Sequence, residues 1–262
     1  MNVLLSQLAG LPIALEFLTL IRLRQVQQHH TRTFAQALGW YPVVGLLIGA
    51  LLLALDRVLS ELLPAAPVAA LLVAALALIS GGLHLDGIAD TADGLAVQGD
   101  RARRLEVMRA GNIGPAGVTA LVLLLLVQWT TLASLDDPFR SGALLLAPAL
   151  ARWTVVPVAL VFKPARPDGL GQTIRDGLWP TAAPLATIIT LAASMTLFGA
   201  TGSLLVLAAT AAALLTAGAA TRLLRGVTGD VFGAAIEIAQ AVAWLAILMT
   251  QQRDWLEPTF LM

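Results

Sequence analysis

Long apolar runs separated by short polar gaps dominate the 262-residue chain. A hydrocarbon core about 30 Å thick needs about 20 apolar residues as helix. Seven stretches qualify, at about 34–55, 65–83, 115–135, 141–162, 179–198, 203–221 and 231–250. Five of them, 34–55, 65–83, 115–135, 179–198 and 203–221, contain no charged residue. The runs are continuous rather than alternating, which excludes a closed barrel. The segment 1–21 is apolar but holds Gln7, Pro12 and Glu16, and Arg22 and Arg24 follow it. No basic residue precedes it and no small-residue cleavage site follows. It therefore reads as an interfacial or re-entrant helix rather than a signal peptide, with an eighth span as the alternative. The expected fold is all-α, a polytopic helical integral membrane protein with about seven transmembrane helices, forming one membrane-embedded domain over 1–262.

Composition agrees and narrows the function classes. Hydrophobic residues make up 58% of the chain, charged residues 12%, and mean hydropathy is +0.83. A soluble domain carries roughly twice that charged fraction. Soluble, disordered and disulfide-rich secreted classes are excluded. Cysteine is absent, which removes disulfides and thiolate chemistry. Net charge is zero, and nothing supports nucleic-acid binding. Orientation follows from the basic residues. The gaps 22–33, 84–114, 163–178 and 222–230 hold twelve Lys and Arg, whereas 56–64, 136–140, 199–202 and 251–262 hold three, and Arg152 lies inside a span. The first set of gaps is expected in the cytoplasm.

In a chain so poor in charge, the run Gly81-Gly82-Leu83-His84-Leu85-Asp86-Gly87-Ile88-Ala89-Asp90-Thr91-Ala92-Asp93-Gly94 stands out. Spacings of four and three put Asp86, Asp90 and Asp93 within an arc of about 60° on a helix. Three like charges on one face repel; a divalent cation between them offsets that cost. Carboxylates are hard ligands that suit Mg²⁺, which keeps waters and takes phosphate oxygens as further ligands. The three aspartates are thus candidate metal-ligating and catalytic residues, and Gly87 and Gly94 would let a diphosphate approach the backbone. The simpler reading is a solvated helix end with acids in its first turn. His84 is a candidate acid or base, or a satisfied surface histidine.

Downstream, Arg101, Arg104 and Arg109 are candidate phosphate clamps, because guanidinium pairs bidentately with phosphate oxygens. They also fit an ordinary positive-inside loop. Around the last span stand Asp230, either an N-cap or a substrate or metal contact, and Glu237, a carboxylate two turns inside the apolar run. An intramembrane carboxylate is expensive unless paired or wet. Arg152 is its candidate partner, in a substrate contact or as a structural tie. Gly45 and Gly49 fit a small-xxx-small packing seam. Together these residues describe a membrane enzyme acting on a diphosphate with Mg²⁺.

Asp86-Gly87-Ile88-Ala89 followed by further aspartates resembles in part the pattern of the CDP-alcohol phosphotransferases, although Asp90 stands where those enzymes carry an arginine. The whole run 81–94 more closely resembles the signature of the cobalamin synthase (cobalamin 5′-phosphate synthase) family. So do Asp100-Arg101, Arg104-Leu105-Glu106-Val107-Met108-Arg109, Thr228-Gly229-Asp230-Val231-Phe232-Gly233-Ala234-Ala235-Ile236-Glu237, Phe17-Leu18-Thr19 and Tyr41-Pro42 with Gly45. These pieces run in order along essentially the whole chain. One departure is Ala110-Gly111-Asn112, where the family usually has an acidic, a small and a basic residue. The resemblance implies an adenosylcobinamide-GDP ribazoletransferase: a ribose hydroxyl of α-ribazole or its 5′-phosphate attacks the cobinamide phosphate and GMP leaves, with Mg²⁺ as cofactor. It implies a multi-pass protein of the bacterial inner membrane with its site on the cytoplasmic face, in contact with lipid; a homo-oligomer is compatible with it. The rival activities are a CDP-alcohol phosphotransferase of lipid synthesis and a secondary transporter in which Arg152 and Glu237 form a coupling pair.

Overall fold

A computed structural model describes residues 10–23, 37–178 and 181–252. Among these, regular structure is helical apart from one isolated bridge between Pro164 and Val227. Helix α1 (Gly10–Leu18) is followed, after a 3-10 turn at Leu38–Trp40, by α2 (Tyr41–Ser60), α3 (Ala65–Ile79) and α4 (Leu83–Ala96). Then come α5 (Arg101–Val107), α6 (Pro115–Ala133), α7 (Phe139–Trp153) and α8 (Val155–Val161). The chain ends with α9 (Leu170–Gly177), α10 (Ala182–Leu224) and α11 (Gly229–Gln251). Pro42 and Pro115 stand in the first turns of α2 and α6, where the missing N–H costs nothing.

Five helical units are long and apolar enough to cross a bilayer: Leu38–Ser60, Pro115–Ala133, Phe139–Val161, Ala182–Leu224 and Gly229–Gln251. The apolar α3 is a shorter column, and the chain bends by 88° between it and α4. So α4 is not itself a crossing segment; it lies across the end of the bundle where α6 and α11 begin. The expected segments 179–198 and 203–221 fall within one helical run, α10, broken at Gly199 (φ 53°, ψ −136°). That left-handed φ is open to glycine at little cost. A Cβ on Gly202 would overlap the Ser194 carbonyl, so the two arms of α10 fold against each other at the break. Of the N-terminal segment, residues 1–9 lie outside the described residues, as does most of the basic gap 22–33.

The two sets of polar gaps gather at different ends of α11, whose 23 residues span about 34 Å. At one end Arg101 bonds the carbonyls of Leu224 and Ala165, and Arg166 bonds that of Leu105. At the other, Arg57 pairs with Asp137, and Gln251 meets Asp136 and the Ser134 carbonyl. The alternation expected from the basic residues is therefore present in the fold.

Helix α11 is the hub, packed on α4, α6, α7 and α10. Helices α2 and α7 share a broad contact, and Gly45 and Gly49 face the backbone at Pro148–Ala149 and Leu144–Leu145, where any Cβ would collide. The expected small-residue seam is thus the α2–α7 interface. Beside it the buried Arg140 guanidinium donates to Asp56 at 2.7 and 2.9 Å. Truncating one partner of a buried pair leaves a desolvated charge. Asp56→Ala should lower the unfolding free energy by about 3–5 kcal/mol, whereas Asp56→Ala with Arg140→Met should recover much of the loss. Thermal unfolding in lipid nanodiscs checks both.

Candidate functional site

The acidic helix begins at a tight bend. Gly81 and Gly82 take positive φ (61° and 73°), a region that side-chain-bearing residues rarely adopt, and this turns the chain from α3 into α4. Helix α4 then crosses α11 at very short range. A Cβ on Gly87 would stand 2.6 Å from the Asp230 carbonyl oxygen and 3.0 Å from Gly233 Cα. Gly94 backs in the same way onto the Met108 side chain. These two glycines do not open the backbone to a ligand, as their sequence position suggested. They admit neighbouring helices, because in lipid small residues let backbones approach.

The three aspartates of α4 have different surroundings. Asp86 is exposed, while Asp90 and Asp93 are buried. Asp93 accepts the Gly114 N–H at 2.6 Å and the Gly117 N–H at 2.9 Å. It therefore holds the start of α6, where backbone donors lack intrahelical partners. That capping role departs from the predicted grouping of all three as equivalent ligands. Asp230 fills the space nearby. It is not the N-cap of α11: Thr228 accepts the Val231 N–H at 3.3 Å and donates to the Asp230 carboxylate at 3.1 Å. Burial, then the charges of Asp86, Asp230 and Asp93, push Asp90 up to about 6.

None of these four carboxylates is within 4.0 Å of a Lys, Arg or His nitrogen among the described residues. Carboxylates without an ion-pair partner are the donor chemistry that hard divalent cations take. The side chains do not close a shell alone, since among the described residues no three acidic or histidine groups converge tightly enough to hold an ion. Waters and ligand oxygens would complete it, as is usual for Mg²⁺.

The arginines divide differently from expectation. Arg101 donates to the Leu224 carbonyl at 2.7 Å and to that of Ala165, tying α5 to its neighbours. Arg104 donates to the Gly94 and Leu95 carbonyls at the end of α4, a common use of a cation at a helix C-terminus. Arg109 is exposed and stands near Arg166, whose charge it opposes. Arg166 was not singled out by the sequence. Its backbone is pinned by Ala165 N–H to the Val227 carbonyl (2.8 Å) and Val227 N–H to the Lys163 carbonyl (2.9 Å). One Arg166 Nη donates to the Leu105 carbonyl at 2.9 Å, and its buried Nε has no partner. In the sequence it was one of three unremarkable bases in the gap 163–178. Ala110-Gly111-Asn112, where the chain departs from the family pattern, is exposed between α5 and α6.

Arg152 and Glu237 do not form the expected direct pair. Glu237 accepts from Gln128 at 2.9 Å and stands 3.9 Å from His84 Nδ1, while Arg152 donates to the Pro148 carbonyl at 3.0 Å. Both are buried, and the Arg152 charge acts on Glu237 only from beyond ion-pair distance. Gln128, on the uncharged third predicted span, carried no signal of its own. His84 is buried rather than at the surface, with Nδ1 unpartnered.

Asp86, His84, Asp230 and Arg166 line one cavity of about 260 Å³, closed by apolar side chains including Phe17, Tyr41, Val155, Phe232 and Ile236. An open groove of about 550 Å³ reaches Asp86 from the other side, past Arg22, Ser80, Gly82 and Ala89. A third, of about 490 Å³, is lined by Arg101, Arg109, Arg166 and Asp168. The cavity thus shares Asp86 with the groove and Arg166 with the third recess.

Fold and site together define an all-α, polytopic membrane protein with an acidic, phosphate-compatible centre at one end of its bundle. The chain belongs to the cobalamin-5-phosphate synthase family, which it matches over residues 10–248. It is 38% identical to the adenosylcobinamide-GDP ribazoletransferase of Pseudomonas paraeruginosa, over 92% of this chain and 98% of that protein. Proteins of the same name from Roseiflexus sp. and Geotalea daltonii are 35% and 34% identical, each over 90% of this chain and over 88% and 95% of their own lengths. No solved structure matches.

The aspartates should separate by stability. Asp93→Ala orphans two helix N–H groups and should cost about 1–2 kcal/mol. Asp90→Asn should not destabilise. Because the native value of Asp90, about 6, lies above 3.8, the native state binds more protons between those values, so its contribution falls as pH rises through them. Melting temperature from pH 4 to 7 should decline less in Asp90→Asn than in the parent.

Proposed function

We propose that the protein is an adenosylcobinamide-GDP ribazoletransferase, with the acidic centre of Asp86, Asp90 and Asp230 facing Arg166 as its reaction site. The single observation that carries this reading is that one cavity is lined both by Asp86 and Asp230, neither in an ion pair among the described residues, and by Arg166, whose buried Nε is unmatched. Such an arrangement suits a diphosphate: carboxylates that would hold a divalent cation on one side, a guanidinium on the other. Asp86, Asp90 and Asp230 would hold Mg²⁺, which neutralises phosphate charge when bound, while Asp93 keeps α6 in register beside them. The names of the relatives support the substrates.

In the reaction, a ribose hydroxyl of α-ribazole or α-ribazole 5′-phosphate forms a new bond to the phosphorus attached to cobinamide. The bond from that phosphorus to the bridging oxygen breaks, and GMP leaves with that oxygen. Arg166 and Arg109 neutralise the departing phosphate, and their positive charge falls where negative charge develops. The hydroxyl proton goes to a nearby carboxylate or to His84, both within the same cavity wall. Arg101 and Arg104 act as positioning residues, holding α5 and the end of α4 against the loop that carries Arg166. The protein would sit in the bacterial inner membrane with this centre at the cytoplasmic face, as the basic gaps gathered at that end favour.

Protein reconstituted in nanodiscs and supplied with adenosylcobinamide-GDP, α-ribazole and Mg²⁺ should release GMP, and omission of α-ribazole should stop it. Asp90→Asn and Arg166→Ala should each lower kcat by about 10²–10³ in folded protein. Parent-like turnover of Asp90→Asn would remove it from the site, and absence of GMP release by the parent protein would refute the reading itself.

A further inference from the structure

The enclosed cavity beside the acidic centre has features that the diphosphate chemistry does not use. Part of its wall is apolar, formed by Phe17, Tyr41, Val155 and Ile236, away from Asp86, Asp230 and Arg166, and the Phe17 and Tyr41 rings are stacked with centroids 6.2 Å apart. Among the lining residues, Tyr41 and His84 each carry a buried polar atom without a hydrogen-bond partner, Oη and Nδ1 respectively. An unmatched buried donor or acceptor is costly, and both residues belong to the lining of one pocket. An apolar slot with a few polar groups is how small aromatic ligands are bound and oriented.

Size selects between the two substrates. A volume of about 260 Å³ matches a fused aromatic base with part of its ribose, and is several times too small for a corrinoid ring with its side arms. The cavity also reaches Asp86 and Asp230, so a nucleoside whose base lies among Phe17, Tyr41 and Ile236 directs its ribose towards the acidic centre. The corrinoid would then approach Asp86 along the open groove on the other face of α4.

We infer that this cavity is the base pocket of the acceptor nucleoside, and that Tyr41 and Ile236 set which base is accepted. The inference rests on the proposed transferase reading for the identity of the nucleoside. In it the Tyr41 hydroxyl supplies a hydrogen bond to the unsubstituted ring nitrogen of the base. Ile236, on the wall contributed by α11, limits the width of the ring system.

Two measurements test it. Equilibrium dialysis of labelled α-ribazole against nanodisc-embedded protein, without adenosylcobinamide-GDP, reads the pocket independently of turnover. Ile236→Trp, which fills the cavity, should weaken α-ribazole binding by about tenfold or more. Ile236→Ala, a milder change, should shift relative kcat/KM towards ribosides of larger bases by about tenfold while leaving KM for adenosylcobinamide-GDP unchanged. Tyr41→Phe should raise KM for α-ribazole. Unchanged α-ribazole binding in Ile236→Trp, a rise in KM for the corrinoid donor instead, or a phospholipid chain found retained in the cavity would each overturn the assignment. If the parent protein binds α-ribazole in a manner sensitive to Ile236 yet releases no GMP, the transferase reading fails and the pocket stands.

Discussion

Helices α4 and α11 cross so closely at Gly87 and Gly233 that their backbones, rather than their side chains, set the separation. This crossing brings Asp230 beside Asp86 and Asp90, and places His84 against Glu237. The 88° bend at Gly81–Gly82 is the second requirement, because a straight continuation of α3 would carry the aspartates away from α11. Any side chain at position 87 would push the helices apart and disperse the charges.

Negative charge concentrated in this way needs compensation, and nearby side chains provide little of it. Several arginines of the basic loops are already engaged in holding backbone carbonyls. Arg101 and Arg104 complete helix and loop ends, so their charge serves the architecture. Arg166 is different, because two backbone hydrogen bonds fix its loop and one of its nitrogens stays unmatched. The site is therefore a rigid frame with an electrostatic deficit, which is what a bound cation and a phosphate would together relieve. Asp93 shows the opposite economy: its two oxygens match two helix amides, and it contributes precise placement of α6.

The deeper polar residues follow the same logic of burial. Glu237, Gln128, His84 and Arg152 occupy the apolar interior, where isolated polar groups are expensive. Glu237 meets Gln128 directly and Arg152 meets a carbonyl in its own helix. Arg152 and Glu237 thus form no direct ion pair. Of this buried polar set, His84 also lines the cavity behind Asp86.

The chain's apolar periodicity by itself determined an all-α membrane architecture, the alternation of its ends and the position of the acidic helix, because hydropathy and charge are local properties that the bilayer reads directly. The long, specific run from Gly81 to Gly94 also fixed the family. What the sequence could not decide was which charged residue meets which. Asp86, Asp90 and Asp93 look alike on a helical wheel, but only the packing of α6 makes Asp93 a cap and leaves Asp86 and Asp90 with Asp230. Arg101, Arg104 and Arg109 look like one basic cluster, and only the placement of loop carbonyls separates two structural arginines from an exposed one. Arg166 and the enclosed cavity arise from segments far apart in the chain. Such convergence is set by close helix crossings and loop pinning, which are tertiary in origin and leave no periodic trace in the sequence.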